Sequence, residues 1–221
     1  EDFLNLVEKE INKLADSTRD QKSAIIVGAP RKDKNNLKNS VFVMENGKVI
    51  SIKDKYELPN TGVFDEQRIF KQGSLEDCVN IKGVKFGLPI CEDIWEKTVL
   101  ERLSKSGAEI IISINASPFT VSKNKERESI ASLRVKETRL PIVYLNRTGG
   151  QDELIFDGSS FALNHDGKKF YSSSEFKEET AEVNFQKTNG KWLGEGNLNN
   201  SSSSTERLYK ALVLGLRDYV N

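Results

Sequence analysis

The 221-residue sequence predicts an α/β domain, a sheet with covering helices. Three observations lead there. Short apolar runs bounded by turn residues recur along the chain, segments of helical spacing alternate with them, and Asn-Gly and Asp-Gly pairs mark hairpins. Phe3, Leu4, Val7, Ile11 and Leu14 recur at helical spacing, so the chain opens in or at the start of an amphipathic helix. The run at 24–27, closed by Gly28, reads as a buried strand, and a charged, Asn-rich loop follows it. Apolar stretches at 41–44 and 49–52 flank Asn46-Gly47, where both residues tolerate positive φ, and read as an antiparallel pair. Residues 84–90 read as a strand running into Cys91, after which Trp95, Val99, Leu100 and Leu103 fit one helix face. A strand at 110–114, a helix at 126–138 and a strand at 141–145 continue the alternation. A second hairpin is expected across Asp166-Gly167, between 160–163 and 168–171, with a further strand at 180–185. Beyond a serine-rich loop at 197–204, Ser203 and Glu206 have capping-box spacing ahead of a helix carrying Leu208, Ala211, Leu212 and Leu216.

Composition narrows the function classes. The 33 basic and 33 acidic residues cancel, so no net field favours nucleic acid or an anionic membrane. The apolar runs at 110–112 and 212–214 fall far short of the roughly 20 residues needed to span a bilayer. Glu1-Asp2 stands where a secretory signal would be basic. Cys78 and Cys91 supply neither a disulfide framework nor a metal-type cluster. A cytoplasmic protein with no nucleic-acid, membrane or metal partner is expected. No phosphate-binding glycine loop occurs in the sequence, so this segment is expected to hold no nucleotide site of its own.

Cys91 lies in Gly87-Leu88-Pro89-Ile90-Cys91-Glu92-Asp93-Ile94-Trp95, an apolar strand end followed by acidic residues suited to a helix N-terminus. Such a junction lowers a thiol pKa from about 8.5, and the thiolate is the attacking form. An inert buried cysteine fits the same spacing. His165, the one histidine, sits in Asn164-His165-Asp166-Gly167, where it reads as a solvated turn residue rather than a base within reach of a thiol.

The informative blocks are Lys55-Tyr56-Glu57-Leu58-Pro59-Asn60-Thr61-Gly62-Val63-Phe64-Asp65-Glu66, the elbow Ile90-Cys91-Glu92-Asp93-Ile94-Trp95, and Asn115-Ala116-Ser117-Pro118-Phe119. Leu140-Pro141-Ile142-Val143-Tyr144-Leu145-Asn146 and Gly149-Gly150-Gln151-Asp152-Glu153-Leu154-Ile155-Phe156-Asp157-Gly158 follow in order. Together they closely resemble the glutaminase domain of glutamine-dependent NAD synthetases, within the nitrilase superfamily, over most of the chain. The resemblance implies a nitrilase-like αββα sandwich over residues 1–200, with 201–221 a helix leading toward a synthetase domain absent from this sequence. It implies no cofactor for this segment, with ATP and Mg in that synthetase domain. Glutamine and the synthetase domain of the same polypeptide are the implied partners, in a homo-oligomer.

The resemblance also implies a Glu-Lys-Cys catalytic set, with Cys91 as nucleophile toward the side-chain amide of glutamine. Lys55 would lie beside the developing oxyanion, the backbone N–H of Glu92 would be the second donor, and Glu66 would orient Lys55. Glutamine recognition falls to Ser117 and Lys123, with Thr61 and Trp95 near the substrate. The family pattern has tyrosine where Thr61 stands. Its general-base glutamate belongs to a strand upstream of the opening helix, ahead of the first residue here, so this segment alone is expected to be impaired. Without the resemblance, Lys55 and Lys123 read as surface lysines and Glu66 as a solvated turn residue. Two rival readings are a nitrilase-like amidase for another small amide and a non-catalytic fragment that binds glutamine or assembles oligomers.

Overall fold

Asn46 and Gly47 take φ of 51° and 77°, and Glu45 faces Lys48 across them, which is the two-residue hairpin that Asn-Gly favours. In this computed structural model, which describes residues 2–220, the chain divides into two units, Glu1–Gly107 and Ala108–Asn221. The first unit opens with helix α1 (Asp2–Ser17), followed by strands β1 (Ile25–Asp33), β2 (Asn36–Glu45) and β3 (Lys48–Asp54). These three strands form an antiparallel sheet in the order β1-β2-β3. The central strand buries Val41, Phe42, Val43 and Met44 in succession, as a strand covered on both faces does. Helix α1 packs Val7, Ile11 and Ala15 against Phe42, Met44, Val27 and Val49. Phe3 and Leu14, expected on that face, are exposed: Leu14 lies beside the stripe through Val7, Ile11 and Ala15 that meets the sheet, and Phe3, on the same stripe, lies one turn before the first residue in contact. The segment expected as a charged loop after β1 is instead the tip of a long hairpin. Asp33 faces Asn36, and Lys34 turns the chain at φ 55°.

A four-residue helix α2 (Glu66–Ile69) precedes the hairpin of β4 (Val79–Ile81) and β5 (Val84–Gly87). Its turn residues, Lys82 and Gly83, have φ of 52° and 87°. A single 3₁₀ turn (Cys91–Ile94) and helix α3 (Lys97–Lys105) complete the unit, with Val99, Leu100 and Leu103 buried as expected.

The second unit begins with β6 (Ile110–Asn115), helix α4 (Lys123–Thr138) and β7 (Ile142–Asn146). Strands β6 and β7 are parallel, so α4 is their crossover connection. Helix α4 starts three residues before its expected position and ends on Arg139 at φ 59°. A hairpin of β8 (Thr148–Gln151) and β9 (Leu154–Asp157) follows, then β10 (Phe161–Leu163) and β11 (Lys169–Ser172). Strand β10 pairs antiparallel with both β7 and β11. The strand expected at 180–185 begins only at Asn184, where β12 (Asn184–Thr188) pairs with β13 (Lys191–Glu195) across Asn189-Gly190. Phe170 and Tyr171 pack here with Ala162, Val143, Val183 and Phe185, and the rings of Phe170 and Phe185 meet edge-on at 5.5 Å. A Cβ on Gly194 would lie 2.2 Å from the Phe170 ring. Gly194→Ala is therefore expected to cost about 1–3 kcal/mol through overpacking, and a urea midpoint equal to that of the parent chain would contradict this packing.

Helix α5 (Ser204–Val220) closes the unit. Both halves of the expected capping box form: the Glu206 N–H donates to Ser203 Oγ at 3.3 Å, and the Glu206 carboxylate accepts from the Ser203 N–H while also pairing with Lys210. Its buried face carries Arg207, Ala211 and Leu214, whereas Leu208, Leu212 and Leu216 are exposed. Arg207 turns that face inward because two acidic side chains of the unit hold its guanidinium. No helix of the described residues is long and apolar enough to cross a membrane.

Candidate active site

Strand β5 ends at Gly87, and the buried Leu88 and Ile90 carry the chain to Cys91. Cys91 has φ 49°, a left-handed conformation costing a non-glycine residue about 1–3 kcal/mol unless its surroundings over-determine it. Residues 91–94 form one 3₁₀ turn, and α3 starts only at Lys97. The expected α-helical N-terminus at Cys91 is thus absent, since the turn is too short to carry a macrodipole. Trp95 ends the 3₁₀ turn, its N–H donating to the Glu92 carbonyl at 2.8 Å, rather than joining α3. Both cysteines are thiols. Cys78 Sγ donates to the Ser106 carbonyl at 3.2 Å and its N–H to Ser106 Oγ at 2.9 Å.

Lys55 follows β3 and is 1% exposed. Its N–H donates to the Asn39 carbonyl and its carbonyl accepts from the Gly73 N–H, both at 2.8 Å, so the backbone is fixed on both sides. Lys55 Nζ donates to Glu66 Oε1 at 2.7 Å. The intervening loop is closed by the Glu66 N–H, which donates to the Pro59 carbonyl at 3.1 Å, and by Gln67 Nε2, which donates to the Leu58 carbonyl at 3.0 Å. Burial of a lysine that is rarely hidden unless paired is thereby explained. Glu66 Oε2 is also buried and has no hydrogen-bond partner among the described residues. Thr61 lies in the same loop and is exposed.

Asp93 belongs to this site, although sequence reading treats it only as an acidic residue after the thiol. Its side chain is buried and accepts three backbone hydrogen bonds, from Tyr56, Glu57 and Ile90. Burial pushes its carboxyl up to about 6, against the opposing pull of those N–H groups and of the Lys55 charge.

In the second unit, Ser117 is buried. Its N–H donates to Asn146 Oδ1 at 2.8 Å, and its hydroxyl accepts from Arg127 Nε at 3.0 Å. Arg127, fully buried, also donates to the carbonyls of Ser117 and Pro118 at 2.7 and 2.9 Å and to Asp157 Oδ1 at 2.8 Å. Asp157 Oδ2 accepts from Ser159 Oγ at 2.7 Å and from Arg207 at 3.4 Å. Sequence reading missed this charged cluster. Its available signal is Arg127 on the same α4 face as Ala131, Arg134 and Val135. Lys123 begins α4, is half-buried, and its Nζ lies 3.3 Å from Glu126 Oε2. His165 lies in the turn closed by the Gly167 N–H donating to the Asn164 carbonyl.

Comparison with known proteins places this geometry in a family. A glutamine-dependent NAD(+) synthetase of Rhodobacter capsulatus is 37% identical over 198 residues, 89% of this chain and 36% of that protein. One from Synechocystis is 33% identical over 237 residues, 99% of this chain and 42% of that protein. The chain thus spans about two fifths of the length of these curated relatives. The solved glutamine-dependent NAD+ synthetase from Acinetobacter baumannii, in complex with ADP, superposes with a TM-score of 0.90 at 33% identity, covering 98% of this chain and 41% of that one. A carbon-nitrogen hydrolase from Helicobacter pylori has a TM-score of 0.73 at 22% identity, covering 98% and 75%, a likeness of fold. The nitrilase-like α/β class expected from the sequence is therefore the class observed. Residues 4–192 match the carbon-nitrogen hydrolase description, and the chain belongs to the carbon-nitrogen hydrolase family.

Proposed function

We propose that this chain is the glutaminase domain of a glutamine-dependent NAD synthetase, hydrolysing glutamine to supply ammonia for ATP-dependent amidation of deamido-NAD by a synthetase domain of the same polypeptide. The observation that carries the reading is the buried Lys55, paired to Glu66 and tied through Asp93 to the strained Cys91 elbow. A buried cation and a strained nucleophile on neighbouring irregular segments are the parts that acyl transfer requires. The name shared by the relatives, glutamine-dependent NAD(+) synthetase, supports glutamine as the amide.

In this mechanism the Cys91 sulfur attacks the side-chain amide carbon of glutamine, and the carbonyl π electrons move onto oxygen. Lys55 and the backbone N–H of Glu92 stabilise that oxyanion, and Glu66 holds the Lys55 ammonium in place. Collapse of the adduct expels the nitrogen, which carries away the thiol proton as ammonia and leaves a thioester. Water then adds to the thioester, releasing glutamate and restoring the thiol. Ser117 and Lys123 serve the amino-acid end of glutamine in this reading, Lys123 as a point charge for the carboxylate, with Trp95 and Thr61 beside the substrate.

A glutamine-like diazoketone is expected to add covalently to Cys91 and to spare Cys78, whose thiol and N–H are both engaged with Ser106. Peptide mapping after labelling tests this. Equal modification of the two thiols would remove the basis for the assignment.

A further inference from the structure

The mechanism above leaves Asp93 without a task, yet its carboxylate is only 3% exposed. Oδ1 accepts from the N–H of Tyr56 at 3.1 Å and from that of Glu57 at 2.7 Å, and Oδ2 accepts from the N–H of Ile90 at 2.9 Å. Tyr56 directly follows Lys55, and Ile90 directly precedes Cys91. We propose that Asp93 is the positioning residue of this site, its carboxylate clamping the Lys55 segment to the Cys91 elbow so that ammonium and thiol address one amide group. The inference rests on the amidase reading.

The bonds around Cys91 are reciprocal. The Asp93 N–H donates to the Ile90 carbonyl at 3.1 Å while the Ile90 N–H donates to the Asp93 carboxylate, so a closed ring brackets Cys91 and Glu92. That ring over-determines the left-handed backbone at Cys91, as a strained functional residue needs. The same carboxylate reaches the segment after Lys55, whose own N–H and carbonyl are fixed by Asn39 and Gly73. The two chemical groups therefore hang from backbone joined by one side chain. Neither junction lies in a regular strand, and a buried N–H must find an acceptor. Asparagine has nearly the same shape but cannot substitute: its NH₂ would face at least one of the three N–H donors.

Charged and titratable groups on the surrounding segments are Lys55, Tyr56 and Glu57 on the loop, Asp65 paired to Arg68 at α2, Glu66 on α2, paired to Lys55, and Cys91 and Glu92 on the elbow. Among them the Lys55 charge acts on Asp93, favouring its ionised form. Protonation of Asp93 would put an O–H where an acceptor is needed and loosen the clamp.

The test follows the rate of Cys91 alkylation by the glutamine-like diazoketone in the full chain from pH 5 to pH 8, with iodoacetamide as a non-specific comparator. In the parent chain, the logarithm of the rate is expected to rise with a slope of about one where only the thiol titrates. The slope should steepen below about pH 6, where Asp93 takes up its proton. Asp93→Asn should react up to about 100-fold more slowly above that pH, the scale of an ångström-sized misplacement, and should lose the steepening. Val99→Ala, a core truncation on α3, provides a folded destabilised control whose pH profile should match the parent's. Should Asp93→Asn fail to fold, the parent slope alone decides. A single slope throughout in the parent chain, or parent-like rate and profile in a folded Asp93→Asn protein, would overturn the role of Asp93 while leaving the amidase reading intact. Absence of selective labelling at Cys91 in the parent chain would overturn both.

Discussion

Replacing Lys55 by Met is expected to lower glutamine hydrolysis by about 10²- to 10³-fold, the usual effect of removing one oxyanion donor. The ammonium is 1% exposed and bonded to Glu66 at 2.7 Å, so its position is set before substrate arrives and its loss is not made good by solvent. Methionine fills much of the same volume, and the loop stays closed by the Glu66 N–H and Gln67 Nε2 bonds to the Pro59 and Leu58 carbonyls, so the fold should survive the change. In a polypeptide carrying the synthetase domain, NAD formation from glutamine should collapse while formation from added ammonium persists, because in the proposed mechanism Lys55 acts only on the amide. Parallel assays with the two nitrogen sources measure this directly. A matching loss with both would assign Lys55 to the scaffold.

Asp157→Ala should produce the largest stability change, about 3–5 kcal/mol, a substantial share of the roughly 5–15 kcal/mol that holds a domain folded. Asp157 and Arg127 are both fully buried and 2.8 Å apart. Without the carboxylate, the Arg127 guanidinium would keep only neutral partners, the Ser117 hydroxyl and the carbonyls of Ser117 and Pro118. Arg207 would keep Glu175. Asp157→Asn retains an acceptor and should lose less. Urea denaturation of the three proteins gives the ordering, and an Asp157→Ala midpoint equal to the parent's would show that the buried pair contributes nothing net.

What the sequence could disclose followed the range of the interactions involved. Asn46-Gly47 was readable because positive φ is a property of the residues themselves. The helices were readable from their period, but the buried face of α5 was not. That helix carries Leu208, Leu212 and Leu216 outward while Arg207 faces inward, and the reason lies at Asp157 and Glu175, far off in the chain. The β4 strand was missed because three residues, though apolar-polar-apolar, are too few for alternation to be diagnostic, although Lys82-Gly83 marks its turn. Lys55 sits on irregular chain and Glu66 opens a four-residue helix, both too short of regular structure for periodicity to speak, so only the family resemblance pointed to them. Asp93 looked like dipole chemistry because acidic residues often begin helices. Its actual partners, Tyr56 and Glu57, lie on a segment no local pattern connects to it.

The backbone at Cys91 sets folding against chemistry. Glycine occupies a left-handed position at φ 49° without the penalty that a side chain incurs. Replacing the thiol-bearing residue by glycine would relieve that penalty at the expense of the sulfur. In the proposed amidase, the folding cost of a side chain at this position is set against the chemistry that only the thiol supplies.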